Sequence, residues 1–173
     1  MHWESTWVPS KDILQNTTCA DFGIWKGILN AKARKEFNCN TTIGIESDPT
    51  HFHDCIKFNP GTVLYKSIDQ IKNHTKVDVI FMHGIICLLG DRWYPDCEKL
   101  CKKIDANIIH IRHREFGINT HVNGVLRETN TQNLENYNKS PSRKTVIEFF
   151  TKKFNYKLEK QTGEILILKK QCQ

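Results

Sequence analysis

The sequence predicts an α/β domain, a mainly parallel sheet with flanking helices and a C-terminal antiparallel β-hairpin. Three observations predict it. Apolar runs of strand length alternate with helical stretches from Thr17 onward, the pattern of strands joined by crossover helices. The run Val77-Asp78-Val79-Ile80-Phe81-Met82 is the most continuous apolar strand, as the buried middle of a parallel sheet requires. Near the C-terminus, two alternating segments flank Gln161-Thr162-Gly163, the sign of a tight hairpin.

Each element follows in order. Thr18-Cys19-Ala20-Asp21-Phe22 makes the first strand, and Gly23 and Gly27 form the turn into an amphipathic helix that reaches Phe37. Thr42-Ile43-Gly44-Ile45 makes the second strand, which ends in the polar group Glu46-Ser47-Asp48. Pro49 then suits the first turn of a helix to Phe58. After the Asn59-Pro60-Gly61 turn, Thr62 to Lys66 forms a third strand, and Ser67-Ile68-Asp69 opens a short helical turn. The fourth strand, 77–82, belongs in the centre. A helix from Asp96 to Ile104 leads to a fifth strand, Asn107 to Ile111. Residues 112–141 are rich in Arg, Asn, Thr and His with little periodicity, and are expected to form an irregular active-site cover within one domain spanning 1–173. Ser142 reads as the N-cap of a helix ending near Phe154, and Tyr156–Lys160 with Glu164–Lys169 form the closing hairpin.

Length and composition bound the function. A chain of 173 residues is long enough to bury one core without staples. No segment approaches the apolar length of a membrane span, and the first residues carry Trp3, Glu4 and Trp7 instead of a basic start and an apolar run. A cytoplasmic protein with no membrane partner is therefore expected. Seven cysteines, an odd and scattered set, suit a reducing compartment, and Cys97 and Cys101 lack a second Cys/His pair at zinc spacing. The net charge of +6 favours anionic partners, but its lysines are spread singly or in pairs. A nucleic acid is thus admitted as a partner without being favoured over a small molecule. Oligomeric state is left open.

The strand ends resemble the motifs of the class I, Rossmann-like S-adenosylmethionine-dependent methyltransferases, and the resemblance runs along most of the chain. Ala20-Asp21-Phe22-Gly23-Ile24-Trp25-Lys26-Gly27 resembles the first motif, an acidic residue followed by glycines that let the backbone approach the cofactor. Glu46 resembles the acidic residue that binds the ribose hydroxyls, and Ser67-Ile68-Asp69 the segment that borders adenine. The stretch from Val77 to Gly84 is similar to the fourth-strand motif, whose end lies beside the methyl group. The resemblance implies S-adenosylmethionine as cofactor, held by Asp21, Gly23, Gly27, Glu46, Ser67, Ile68 and His83. The physics of an open α/β sheet agrees, because such sheets bind ligands in the crevice beyond the carboxyl ends of their strands. Gly23 and Gly27 open the backbone there, and Glu46 can accept two hydrogen bonds from a diol.

The first motif is usually richer in glycine; Ile24-Trp25-Lys26 separates the two present. That spelling looks nearest the macrocin O-methyltransferase-like branch, in which acidic residues after the fourth and fifth strands hold a divalent metal. Here His83 and His110-Ile111-Arg112-His113 stand in those places, so a divalent metal is in doubt and no metal ligand is assigned.

Methyl transfer from a sulfonium is an in-line displacement, so the protein aligns the acceptor and removes its proton. The candidate bases are His83 and His113, since histidine titrates near neutral pH; each reads equally well as a hydrogen-bonded structural residue. Arg112 and Arg114, with Arg127, suit a phosphate or carboxylate on the acceptor, or else solvate a loop. Trp93 and Tyr94 are candidates to line the acceptor pocket, the alternative being core, and the segment with Trp3 and Trp7 is a candidate to fold over the cofactor. His51, His53, His74 and His121 are expected at the surface. Three functions remain open: O-methylation of a small hydroxylated metabolite or sugar, which is favoured; methylation of a nucleic acid; and a non-catalytic cofactor-binding or regulatory module that kept the fold.

Overall fold

The computed structural model describes residues 10–114 and 139–172. The strands are β1 (Thr18–Phe22), β2 (Asn40–Ile45), β3 (Val63–Tyr65), β4 (Thr75–His83), β5 (Ile104–Arg112), β6 (Tyr156–Thr162) and β7 (Ile165–Lys170). They form one seven-stranded sheet in the order β3-β2-β1-β4-β5-β7-β6. β1 to β5 run parallel, and β7 inserts antiparallel between β5 and β6. The expected mainly parallel sheet with a C-terminal hairpin is what the described residues form. The expected cover over 112–141 and the segment with Trp3 and Trp7 fall largely or wholly outside them.

β4 is central because it can be buried on both faces. Val79 and Phe81 point to one side, into a core with Leu14, Ala33 and Phe37. Ile80 and Met82 point to the other, into a larger core with Trp93, Leu100, Ile109 and Phe150. Each fully buried side chain of this size contributes about 1.5–3 kcal/mol. The first core is roofed by the short helix α1 (Lys11–Leu14) and by α2 (Ile28–Phe37). The second is roofed by α5 (Trp93–Lys103) and α6 (Arg143–Phe154). The remaining helices are α3 (Phe52–Phe58), after a 3-10 turn at Pro49–His51, and α4 (Ile86–Leu89), before a 3-10 turn at Gly90–Arg92.

Several bounds differ from those the sequence suggests. β4 and β5 both start earlier, because Thr75, Lys76 and Val77 pair with Ile104, Asp105 and Ala106. Backbone pairing thus carries polar residues into strands that an apolar pattern cuts short. α5 begins at Trp93 instead of Asp96, since Pro95 lies in the first turn, where its missing N–H costs no helical bond. Ser142 caps α6 as expected, its hydroxyl accepting from the Thr145 N–H at 3.1 Å.

Candidate active site

A cleft of about 940 Å³ opens beyond the carboxyl ends of β1, β2, β3 and β4, and extends along β5 to Arg112 and Arg114. Its first wall is the loop from β1 to α2. Gly23 sits there at φ +82°, and a Cβ on it would meet the Ile85 side chain at 2.9 Å. Gly27 begins α2 at φ +69°. Between them stands Trp25 at φ +51°, a left-handed conformation that costs a bulky residue about 1–3 kcal/mol. The residue is 49% exposed, and its indole meets the His51 ring edge-on, with centroids 5.9 Å apart.

Glu46 explains how that loop is held. Its Oε2 accepts the Trp25 N–H at 2.9 Å and its Oε1 accepts the Asp48 N–H at 2.9 Å. Each carboxylate oxygen keeps a second acceptor direction, so a pair of neighbouring hydroxyls can still be bound. His51, expected at the surface, instead lines the cleft with its Nδ1 3.9 Å from Glu46 Oε2. Asp21, at the end of β1, is only 3% exposed. Burial pushes its carboxyl pKa up to about 7, against the pull of the Asn30 side chain and with repulsion from Glu46 added. The Oδ1 atoms of Asp21 and Asn30 are both buried without a hydrogen-bond partner among the described residues, and both residues line the cleft. Ser67 and Ile68 border it from the β3 side, where the Ser67 hydroxyl accepts the Asp69 N–H at 3.2 Å in a capping box.

At the β4 end, His83 also lines the cleft. Its Nε2 lies 2.8 Å from Nδ1 of His110, whose Nε2 lies 2.8 Å from the Ser10 hydroxyl. His110 is fully buried and burial lowers its pKa to about 4. His83 is held well below its ordinary value by burial first, then by His110 and Arg112. Both rings are therefore neutral near pH 7. Arg112 and Arg114 each donate through Nε to a different oxygen of Glu164, both at 3.0 Å. Among the described residues no group of three or more His, Cys, Asp or Glu could hold a metal ion, and no helix is long and apolar enough to cross a membrane.

No family model matches the sequence, and no curated protein matches it significantly. Solved structures do match the fold. The plantazolicin methyltransferase BpumL in complex with SAH superimposes with a TM-score of 0.66 at 15% identity, over 96% of this chain and 82% of that one. The N-methyltransferase NodS from Bradyrhizobium japonicum WM9 does so at 0.65 and 11% identity, over 97% and 93%. A protein from Pyrococcus horikoshii, provisionally assigned as an RNA methyltransferase, matches at 0.62 and 14% identity, over 96% and 80%. The chain has a class I methyltransferase fold. Identities this low show the fold and do not single out the macrocin O-methyltransferase-like branch.

Within the methyltransferase fold, Asp21, Gly23, Glu46, Ser67, Ile68, His83, Arg112 and Arg114 all meet at the one cleft. Gly27 stands behind it, against Cys55 and Asn59. Three expected residues are elsewhere. His113 is fully buried and donates through Nε2 to the Pro141 carbonyl at 2.7 Å. Trp93 packs in the core against Phe149, because α5 starts early enough to turn it inward. Tyr94 also meets Phe149, with Lys153 Nζ 4.7 Å above its ring, and does not line the cleft. Arg127 and His121 lie outside the described residues. Trp25, Asn30, His51, His110 and Glu164 are the site residues that the sequence reading did not pick out.

Proposed function

We propose that this chain is an S-adenosylmethionine-dependent methyltransferase acting on a hydroxyl of a small metabolite or sugar. The observation that carries the reading is the strand-end cleft in which Glu46, fixed by two backbone amides, stands one strand over from the buried Asp21. Its polar atoms fit that cofactor. Glu46 takes the ribose hydroxyls, the orphaned Oδ1 of Asp21 takes the ammonium, Gly23 lets the loop after β1 pack against Ile85 at the wall between them, and Ser67 and Ile68 border adenine. That BpumL is seen in complex with SAH, on the same fold, supports this choice.

The bound cofactor supplies an electrophilic methyl group. The protein's own task is then to desolvate and align the acceptor and to take its proton. His83 suits that task because it is neutral and faces the cleft. With the hydrogen of His83 on Nε2, donated to His110 Nδ1, the lone pair of His83 is on Nδ1. His110 then donates through its own Nε2 to Ser10. With the hydrogen-bond chain reversed, Ser10 donates to His110 Nε2, His110 Nδ1 donates to His83 Nε2, and the hydrogen of His83 stands on its buried Nδ1. A second reading has one observation in its favour: Trp25 stands where the motif is usually glycine, as a non-catalytic module could tolerate.

Calorimetric titration with S-adenosylmethionine and S-adenosylhomocysteine, with and without magnesium, tests the proposal. Saturable binding unaffected by magnesium is expected. Absence of binding to the folded protein would sink it. In a screen of hydroxylated acceptors, His83→Ala should keep cofactor affinity and lose turnover by about 10²–10⁴-fold. Turnover confined to wild type also separates an enzyme from a module that merely binds.

A further inference from the structure

The cleft is electrically polar along its length. At the β1 and β2 end stand the carboxyl groups of Asp21 and Glu46. At the β5 end stand two guanidinium groups, Arg112 and Arg114, sharing the single carboxylate of Glu164. Elsewhere on the wall charged residues stand in pairs, Lys99 with Asp69 at 3.0 Å and Arg92 with Asp96 at 3.9 Å. Lys66 follows β3, whose Tyr65 carbonyl accepts the Glu46 N–H at 2.9 Å, so it stands at the carboxylate end of the wall and offsets part of the charge there.

The shared carboxylate matters for two reasons. Among the described residues it neutralises only one of two positive charges, so the two arginines with Glu164 keep a net charge of about +1. Among the same residues it holds both forks through Nε, so there the terminal amino groups of each guanidinium keep donors for another planar or tetrahedral oxyanion. Arg112 is the more enclosed of the two, its side chain 18% exposed against 44% for Arg114. The register pairs Arg112 with His83 across β4 and β5, so the guanidinium stands beside the proposed base. Glu164 itself is placed by the hairpin, at the residue before β7, whose Ile165 pairs with Arg112. The antiparallel hairpin thereby aims a carboxylate at the end of a parallel strand.

Resting on the methyltransferase reading above, we propose that Arg112 and Arg114, preset by Glu164, bind an anionic group of the acceptor. The acceptor is a small hydroxylated molecule carrying a carboxylate or a phosphate. The field of the cleft then sorts its two ligands. A cationic cofactor lies toward Asp21 and Glu46, and an anionic acceptor lies toward β5, with its hydroxyl near His83.

The test uses the whole chain saturated with S-adenosylhomocysteine, into which inorganic phosphate and, separately, acetate are titrated by calorimetry. Saturable binding of either is expected, and the preferred one names the group. Affinity should fall about tenfold or more in Arg114→Gln, the scale of one charge-assisted hydrogen bond. Arg114 is half exposed, so this variant should fold even where Arg112→Gln does not. Lys144→Gln removes the same charge from an exposed site on α6, outside the cleft, and should leave the affinity unchanged. Normal S-adenosylhomocysteine binding with no anion binding, or with equal losses in Arg114→Gln and Lys144→Gln, overturns this inference and leaves the cofactor reading standing. A single-stranded oligonucleotide that binds far more tightly than phosphate, and loses that affinity in Arg114→Gln, also overturns it by assigning the arginines to a nucleic-acid backbone. Failure to bind S-adenosylhomocysteine overturns both.

Discussion

Glu46 does two jobs in the proposed site, and its substitution should reveal both. It offers acceptors to a pair of hydroxyls, and its two backbone hydrogen bonds tie the Trp25 loop to the end of β2. Glu46→Ala is expected to weaken S-adenosylhomocysteine binding by about 1–3 kcal/mol, measured by calorimetry. Unchanged affinity would remove Glu46 from the site. At this scale the sequence was readable where a residue's place in the cleft follows from its position at a strand end, as for Asp21, Glu46 and His83. It was not readable where partners come from distant elements. Asn30 is one polar residue on a helix, and only the fold brings it beside Asp21 with its oxygen unpaired. Glu164 lies in a hairpin turn, about fifty positions from the arginines it organises. His110 was within reach. Side chains on a strand alternate, so His110 and Arg112 share a face with the register partners Phe81 and His83, while His113 has the other parity. Counting by twos from Arg112 selects His110 over His113.

The turn from β1 into α2 is the element on which the first wall of the cleft depends. Gly27 opens α2 at φ +69°, its carbonyl accepts from Asn59 Nδ2 at 2.7 Å, and a Cβ placed on it would collide with that same amide nitrogen and press Cys55 Sγ at 3.1 Å. Gly27→Ala should therefore cost about 1–3 kcal/mol, from left-handed strain and the displaced Asn59. Denaturant unfolding checks this: a lower midpoint with unchanged slope is expected, and an unchanged midpoint would contradict the packing described. The elements themselves were largely legible. β4 shows as a continuous apolar run because both its faces are covered, and α6 shows by its cap and apolar face. Ends were less so, because Thr75, Lys76 and Asp105 enter strands through backbone pairing that no local pattern encodes. The two short turns Ile86–Leu89 and Gly90–Arg92 have neither caps nor periodicity to reveal them.

Across the whole molecule, buried titratable groups on either side of the cleft set opposing dependences of stability on pH. Asp21 has an ordinary pKa of 3.8 and a folded value of about 7, raised chiefly by burial. Between these values the folded state holds the extra proton, so stability falls as pH rises from about 4 to 7. His110 has an ordinary value of 6.5 and a folded value of about 4, lowered by burial. In that window the unfolded state holds the extra proton, so its contribution is present above pH 6.5 and is lost as pH falls toward 4; His83 is shifted in the same direction. The two slopes overlap and partly cancel in wild type. Asp21→Asn removes the first and leaves the second. Its stability relative to wild type should rise between pH 4 and pH 8 by up to about 4 kcal/mol, each unit of displacement being worth about 1.4 kcal/mol. Any fixed cost of burying the new amide drops out, because only the change with pH is compared. Denaturant unfolding at pH 4, 6 and 8 measures it, and a difference constant across that range would show that Asp21 ionises as it does in the unfolded chain. The same charge links stability to binding. An ammonium group brought against Asp21 favours its ionised form, so in the proposed reading S-adenosylhomocysteine binds wild type more tightly at pH 8 than at pH 6, while Asp21→Asn loses that dependence.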